Sequence, residues 1–139
     1  MKNKNTLTVL KTISLLVLCS FYIVAGINHF WDPKAYYDLM PPYFPDHSLL
    51  NILSGAFEII AGILMIIPVT RKLSAYLIIA ILIAFIPAHI YLIQMKGCVS
   101  KKICVAEWIA WVRLFPLQFI LMWWAWKTYE WNRIHAKEL

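Results

Sequence analysis

Of the 13 Lys and Arg and 7 Asp and Glu in this chain, only Glu58 and Arg113 fall deep inside long apolar stretches. A charge at mid-membrane costs several kcal/mol even with snorkelling and water defects, so such a residue marks a functional site by default, with its partner named. The pair reads either as a structural ion pair or as a ligand-binding, proton-handling or gating pair. Two histidines join it: His89, beside Pro87 in a helix expected to be locally broken, and His29, which follows Asn28 at the end of the first apolar stretch. Histidine exchanges protons near neutral pH, and both residues also fit plain packing or interfacial roles. Two histidines and a carboxylate are metal ligands by type, but no H-x-x-x-H or E-x-x-H spacing puts two of them on one helix face, so no metal is expected. Cys98 and Cys104, with five residues between them, supply a third kind of chemistry. In an oxidising compartment two such loop cysteines close a structural bridge, contributing about 2–3 kcal/mol on the chain-entropy account. A redox-active pair and free thiols are the alternatives, and the absence of a C-x-x-C spacing counts against the redox pair.

These residues are positioned by four segments, roughly 7–30, 49–68, 73–95 and 105–126, each supplying the about 20 apolar residues that a bilayer-crossing helix needs. Little chain lies outside them, and 62% hydrophobic content agrees. The expected fold is therefore all-α, an integral membrane four-helix bundle in which residues 1–139 form one transmembrane domain. Lys and Arg collect in short cytoplasmic loops. Lys2, Lys4, Lys11, Arg71, Lys72, Lys127, Arg133 and Lys137 share one side, against Lys34, Lys96, Lys101 and Lys102 on the other. Both termini are accordingly expected in the cytoplasm of a multi-pass plasma (inner) membrane protein. The net charge of +6 then reports topology and attraction to anionic lipid, and nucleic acid is not indicated as a partner.

The aromatic residues fit this frame as interface anchors: Trp31, Tyr36, Tyr37 and Tyr43 at the outer edge, Trp123, Trp124, Trp126, Tyr129 and Trp131 at the inner. Trp108 and Trp111 lie further inside and face either lipid or a pocket wall. The N-terminal apolar run outlasts a typical signal peptide and ends in no small-x-small cleavage site. It reads as a retained helix, with Cys19 an apolar filler.

Helix rise gives the depths of the polar groups. At about 1.5 Å per residue, Glu58 lies roughly 13 Å inward from Leu49, Arg113 roughly 12 Å from Val105, and His89 roughly 9 Å from Met95. Glu58 and Arg113 can thus meet if the second and fourth helices are neighbours, in an outer-half cavity that Gln118 and Gln94 extend inward and outward. On the second helix Ser54, Gly55, Glu58, Ala61 and Gly62 recur at helical spacing, a surface suited to close helix approach in lipid. Asp32-Pro33 reads as a helix start. Pro33–Met40 is a short interfacial helix ended by Pro41 and Pro42, and it and the following Tyr43-Phe44-Pro45 are placed to lid the cavity.

Ala25-Gly26-Ile27-Asn28-His29-Phe30, Met40-Pro41-Pro42-Tyr43-Phe44-Pro45, Ser54-Gly55-Ala56-Phe57-Glu58-Ile59-Ile60-Ala61-Gly62, Pro68-Val69-Thr70-Arg71, Phe85-Ile86-Pro87-Ala88-His89-Ile90-Tyr91 and Arg113-Leu114-Phe115-Pro116-Leu117-Gln118 occur in that order. Together they resemble the successive motifs of DoxX-like integral membrane proteins, over nearly the whole chain. The resemblance implies a four-helix bundle in the plasma membrane. Members of that family include the membrane subunit of thiosulfate:quinone oxidoreductase, companions of oxidative-stress or methylamine-utilisation enzymes, and an animal protein that assists receptor assembly. The positions matching its motifs are Gly26, His29, Pro41, Pro42, Gly55, Glu58, Gly62, Pro87, His89 and Arg113. Nothing resembles a thiosulfate site, and no haem or flavin motif appears.

Two functions are therefore expected as alternatives. In the first, a redox-associated accessory protein binds a quinone-like or lipid ligand, with His29, Glu58, His89 and Arg113 exchanging hydrogen bonds or protons with its carbonyls. In the second, a membrane-protein assembly factor keeps Glu58 and Arg113 as a structural pair and binds a membrane or periplasmic protein partner. Homodimerisation stays open in both. A transporter is a weaker third reading, because four short helices leave little room for alternating access.

Overall fold

The computed structural model describes residues 2–135; Lys137, counted above among the tail cations, lies outside them. The described chain runs through α1 (Lys2–Trp31), α2 (Pro33–Leu39), α3 (His47–Ile66), a 3-10 turn (Pro68–Thr70), α4 (Arg71–Gln94), α5 (Glu107–Leu114) and α6 (Leu117–His135). Four stretches, Thr6–Trp31, His47–Ile66, Pro68–Gln94 and Glu107–Trp131, are long and apolar enough to cross a membrane. Their outward faces carry large apolar side chains, among them Leu10, Val17, Val24, Ile63 and Ile83, about half exposed. Such a surface suits lipid and not water.

The helix ends follow from local chemistry. Asp46 caps α3 by accepting the Leu49 N–H at 2.9 Å, the usual service of an N-cap carboxylate. Pro68 holds Ile67 extended and stops α3. The carbonyls left open at that end are met by side chains: Thr70 Oγ1 donates to Leu64 O at 2.7 Å, and Arg71 donates to Met65 O and Ile66 O at 2.9 and 3.0 Å.

Two expectations about helix continuity change. The fourth span is two helices, because Pro116 offers no N–H and disfavours helical geometry at Phe115, which is extended (φ −142°, ψ 120°). Conversely, α4 runs unbroken through Pro87, where one missing hydrogen bond is tolerated within a membrane-type helix.

The bundle is antiparallel throughout. His29 meets Asn51, Gly26 meets Gly55 and Gly62 meets the Cys19 turn, so α1 and α3 run in opposite senses. Ser74 Oγ donates to Ala61 O at 2.6 Å between α3 and α4. Gln118 Nε2 donates to Leu82 O between α4 and α6, and Trp124 Nε1 donates to Ser14 Oγ at 2.8 Å, closing α6 onto α1. Leu18, Tyr22, Met65 and Ile78 fill the centre, with Cys19 buried among them as a free thiol. Small residues make the α1–α3 crossing tight. A Cβ on Gly26 would lie 2.6 Å from the Gly55 carbonyl oxygen, and one on Gly62 2.6 Å from the Ile23 side chain.

Between α4 and α5 the chain turns through Gly97, whose φ of +85° belongs to the left-handed region. Cys98 and Cys104 are disulfide-bonded across an isolated antiparallel bridge. Replacing both with Ser is expected to lower stability by about 2–3 kcal/mol, read as thermal unfolding in detergent without reductant. Unchanged unfolding would show that the loop holds its shape without the bond. Trp108 and Trp111 are 66% and 52% exposed on the lipid-facing side of α5.

Candidate functional site

Residues of α1, α3, α4, α5 and α6, with the segment over them that includes α2, surround a cavity of about 330 Å³. Its wall is mainly apolar, with Phe21, Ala25, Leu50, Leu82, Ala84, Phe85, Ala88, Leu117 and Leu121 contributing from four helices. His29, Glu58, His89, Arg113 and Gln118 also line it, as do Tyr22, Tyr36 and Ser54. All four residues singled out as ligand-binding or proton-handling thus share one cavity. Gln94 is not part of the wall. Pro41 is buried at the chain turn, its carbonyl accepting from His47 Nε2 at 3.2 Å, whereas Pro42 is exposed. Gly55 and Gly62 belong to the α1–α3 contact rather than to the cavity.

The ion pair expected between Glu58 and Arg113 is not formed. Glu58 Oε2 lies 3.4 Å from His29 Nε2, and Arg113 has no carboxylate in ion-pair contact among the described residues. The reason is angular. Asn51, Gly55, Glu58 and Gly62 fall on one buried stripe of α3, and the Gly55 and Gly62 positions on that stripe press against α1, so the Glu58 carboxyl leaves the helix on the side of His29. His29 itself is 3% exposed rather than interfacial, because α2 folds over it.

The His29 environment fixes its tautomer. Pro33 has no N–H, so the His29 carbonyl lacks the helical donor four residues on. Asn51 Nδ2 donates to that carbonyl at 2.8 Å. Since a carbonyl only accepts, the Asn51 amide is oriented unambiguously, and its Oδ1, 2.7 Å from His29 Nδ1, must accept from an Nδ1–H. His29 therefore turns Nε2 toward Glu58. At that separation Glu58 Oε2 is buried without a hydrogen-bond partner; a single proton shared with Nε2 would leave the pair neutral overall, the arrangement that a low-dielectric span favours. On α4, His89 Nδ1 donates to Phe85 O at 2.8 Å, which by the same logic leaves Nε2 as its second nitrogen. Deeper in the cavity the Tyr22 hydroxyl is buried without a hydrogen-bond partner.

The cover over these groups is α2, a seven-residue helix with two faces. Tyr36, Leu39 and Met40 turn toward the cavity together with Phe44. Lys34, Tyr37 and Asp38 turn away from it into a surface groove shared with Ser100, Lys101 and Lys102. The Tyr36 ring stacks on His29 with centroids 3.6 Å apart, and Asn28 Nδ2 donates to its hydroxyl at 2.9 Å. Burial pushes the Tyr36 phenol above its ordinary range, so it stays a neutral hydroxyl. α2 and the residues after it thus contribute one wall of the cavity through Tyr36, Leu39, Met40 and Phe44.

Sequence reading missed Tyr22 and Asn51. Both carried a usable signal: Tyr22 lies seven residues before His29 and Asn51 seven before Glu58, and a seven-residue step returns a helix to nearly the same face. No metal-binding cluster of His, Cys, Asp and Glu exists among the described residues.

A family model described as a domain of unknown function, DUF8561, matches residues 18–129. The matched range contains every cavity residue named above. No curated protein and no solved structure matches the chain.

Proposed function

The chain belongs to the DUF8561 family of domains of unknown function, and we propose that it is a four-span plasma-membrane protein that binds a quinone-like or lipid ligand in this cavity. The observation that carries the reading is the cavity itself: a mainly apolar pocket about as large as the smaller small-molecule sites, ~300–1,000 Å³, with a few polar side chains among its lining residues. In this reading the ligand's tail lies along Leu82, Ala88, Leu117 and Leu121, and its head meets His29, Glu58, His89 and Arg113. The distribution of Lys and Arg supports cytoplasmic termini, placing α2 and the disulfide loop outside. The resemblance of the ordered motifs to those of DoxX-like proteins is what favours a redox-associated role in this reading, which a ligand with exchangeable protons beside a His–Glu pair would suit. The alternative, an assembly factor whose outer helix face recognises a partner protein, would have to stabilise its bundle by contacts other than a Glu58–Arg113 pair, which is not formed among the described residues.

The test is native mass spectrometry after mild solubilisation, with lipid and quinone extraction, on the wild type and on Ala88→Trp, which fills the cavity. The expected result is one lipophilic molecule per chain in the wild type, lost in the variant while helix content is kept. A wild type that carries none, or an adduct indifferent to the filled cavity, would overturn the proposal.

A further inference from the structure

Glu58 lies against His29 and away from ion-pair range of Arg113, which leaves the cavity with a cation that has no carboxylate partner among the described residues. Arg113 is half-buried at the end of α5, lines the cavity, and makes no hydrogen bond or ion pair among the described residues. A guanidinium held within a membrane-type helix without a counter-charge is costly, and it is a ready bidentate donor to planar or tetrahedral oxyanions. The carboxylate among the cavity's lining residues, Glu58, lies against His29 and not in ion-pair contact with Arg113. His89 and Tyr36 line the cavity with it from α4 and α2, and neither is a carboxylate. On the other face of α2, the separate surface groove bearing Lys34, Lys101 and Lys102 has Asp38 as its acidic lining residue, so the protein's surface at this end is net positive and attracts anions.

We infer that the ligand of this cavity is an amphiphile with an oxyanion head, a carboxylate or a phosphate, held by Arg113 with its chain along the apolar wall. This rests on the ligand-binding reading above and narrows it, since a neutral quinone would leave Arg113 unmatched. Two sources share that chemistry, a free fatty acid and an acidic phospholipid with one chain inserted.

The experiment compares chain-matched ligands on the full-length protein in nanodiscs of neutral lipid: dodecanoate, dodecyl phosphate and dodecanol, each titrated against wild type, Arg113→Gln and Arg113→Lys. Charge-assisted hydrogen bonds predict that wild type binds the two oxyanions about tenfold to a hundredfold tighter than dodecanol. Arg113→Gln loses that preference while still binding dodecanol, which shows that the variant is folded, and Arg113→Lys keeps part of it. Equal affinity for dodecanoate and dodecanol in the wild type, or a preference that survives in Arg113→Gln, overturns the inference and leaves the cavity as a neutral-ligand site. Failure of all three to bind overturns both the inference and the reading beneath it. A parallel titration with phosphatidylglycerol in the nanodiscs assigns the source: competition with dodecanoate in wild type but not in Arg113→Gln identifies the bilayer headgroup, and its absence identifies the free acid.

Discussion

Gly55→Leu is expected to abolish the folded protein. A Cβ at position 55 would lie 2.7 Å from the His29 Cβ and 2.9 Å from the Gly26 carbonyl oxygen, separations that real Cβ atoms do not show. The obstruction on the α1 side includes backbone, so no rotamer change relieves it. Alanine alone should cost about 1–3 kcal/mol, as overpacking generally does. Leucine adds three further carbons at the same point and forces α1 and α3 apart along their whole crossing. Against a total stability of about 5–15 kcal/mol for a typical domain, that separation should yield aggregated or degraded protein instead of a monodisperse peak on size exclusion. A Gly55→Leu variant that purifies as a single species and melts near the wild type would mean that the α1–α3 approach is looser than described, and the His29–Glu58 geometry with it.

Asn51→Leu should produce the second largest loss, for a different reason. The leucine fits by volume, but it removes the acceptor of the His29 Nδ1–H and the donor to the His29 carbonyl, bonds of 2.7 and 2.8 Å. Both groups are buried, and the carbonyl has no helical substitute, since Pro33, four residues on, has no N–H. At about 1–3 kcal/mol for each buried group left unmet, the expected loss is about 2–6 kcal/mol, measured by thermal or denaturant unfolding in detergent. Asn51→Asp should not rescue it, because the second carboxylate oxygen would face the carbonyl. A loss below about 1 kcal/mol would show that His29 is held by its stacking on Tyr36 alone.

The architecture was legible in the sequence where one physical variable decides it. Bilayer thickness sets the length of an apolar run, and for that reason residues 49–68 and 73–95 were read close to the observed α3 and α4. The fourth span was read as one helix because an averaged hydropathy passes over a single proline, although Pro116 was in plain view. Pro87 gave the opposite error: the same residue type, placed mid-span in α4, leaves the helix intact. The site was legible in membership and not in pairing. Depth along a helix is a one-dimensional coordinate, and it brought Glu58, His89 and Arg113 to one level without stating the direction each faces. The small residues Gly55 and Gly62 held the missing angle. They mark the face of α3 that meets its neighbour most closely, Glu58 lies on that face, and the neighbour that brings Gly26 and His29 to it is α1. The burial of His29 needed tertiary information, because only the folding of α2 over the end of α1 removes it from the interface.

The most direct test of the ligand cavity is photo-crosslinking with an alkyl chain carrying a terminal diazirine, titrated into the protein in nanodiscs and mapped by peptide mass spectrometry. The account predicts saturable labelling at Leu82, Ala84 and Ala88 of α4 and at Leu117 and Leu121 of α6, displaced by excess unlabelled amphiphile and absent in Ala88→Trp. Labelling confined to outward-facing residues such as Val17, Ile63 and Ile83, rising in proportion to probe without saturation, would contradict it.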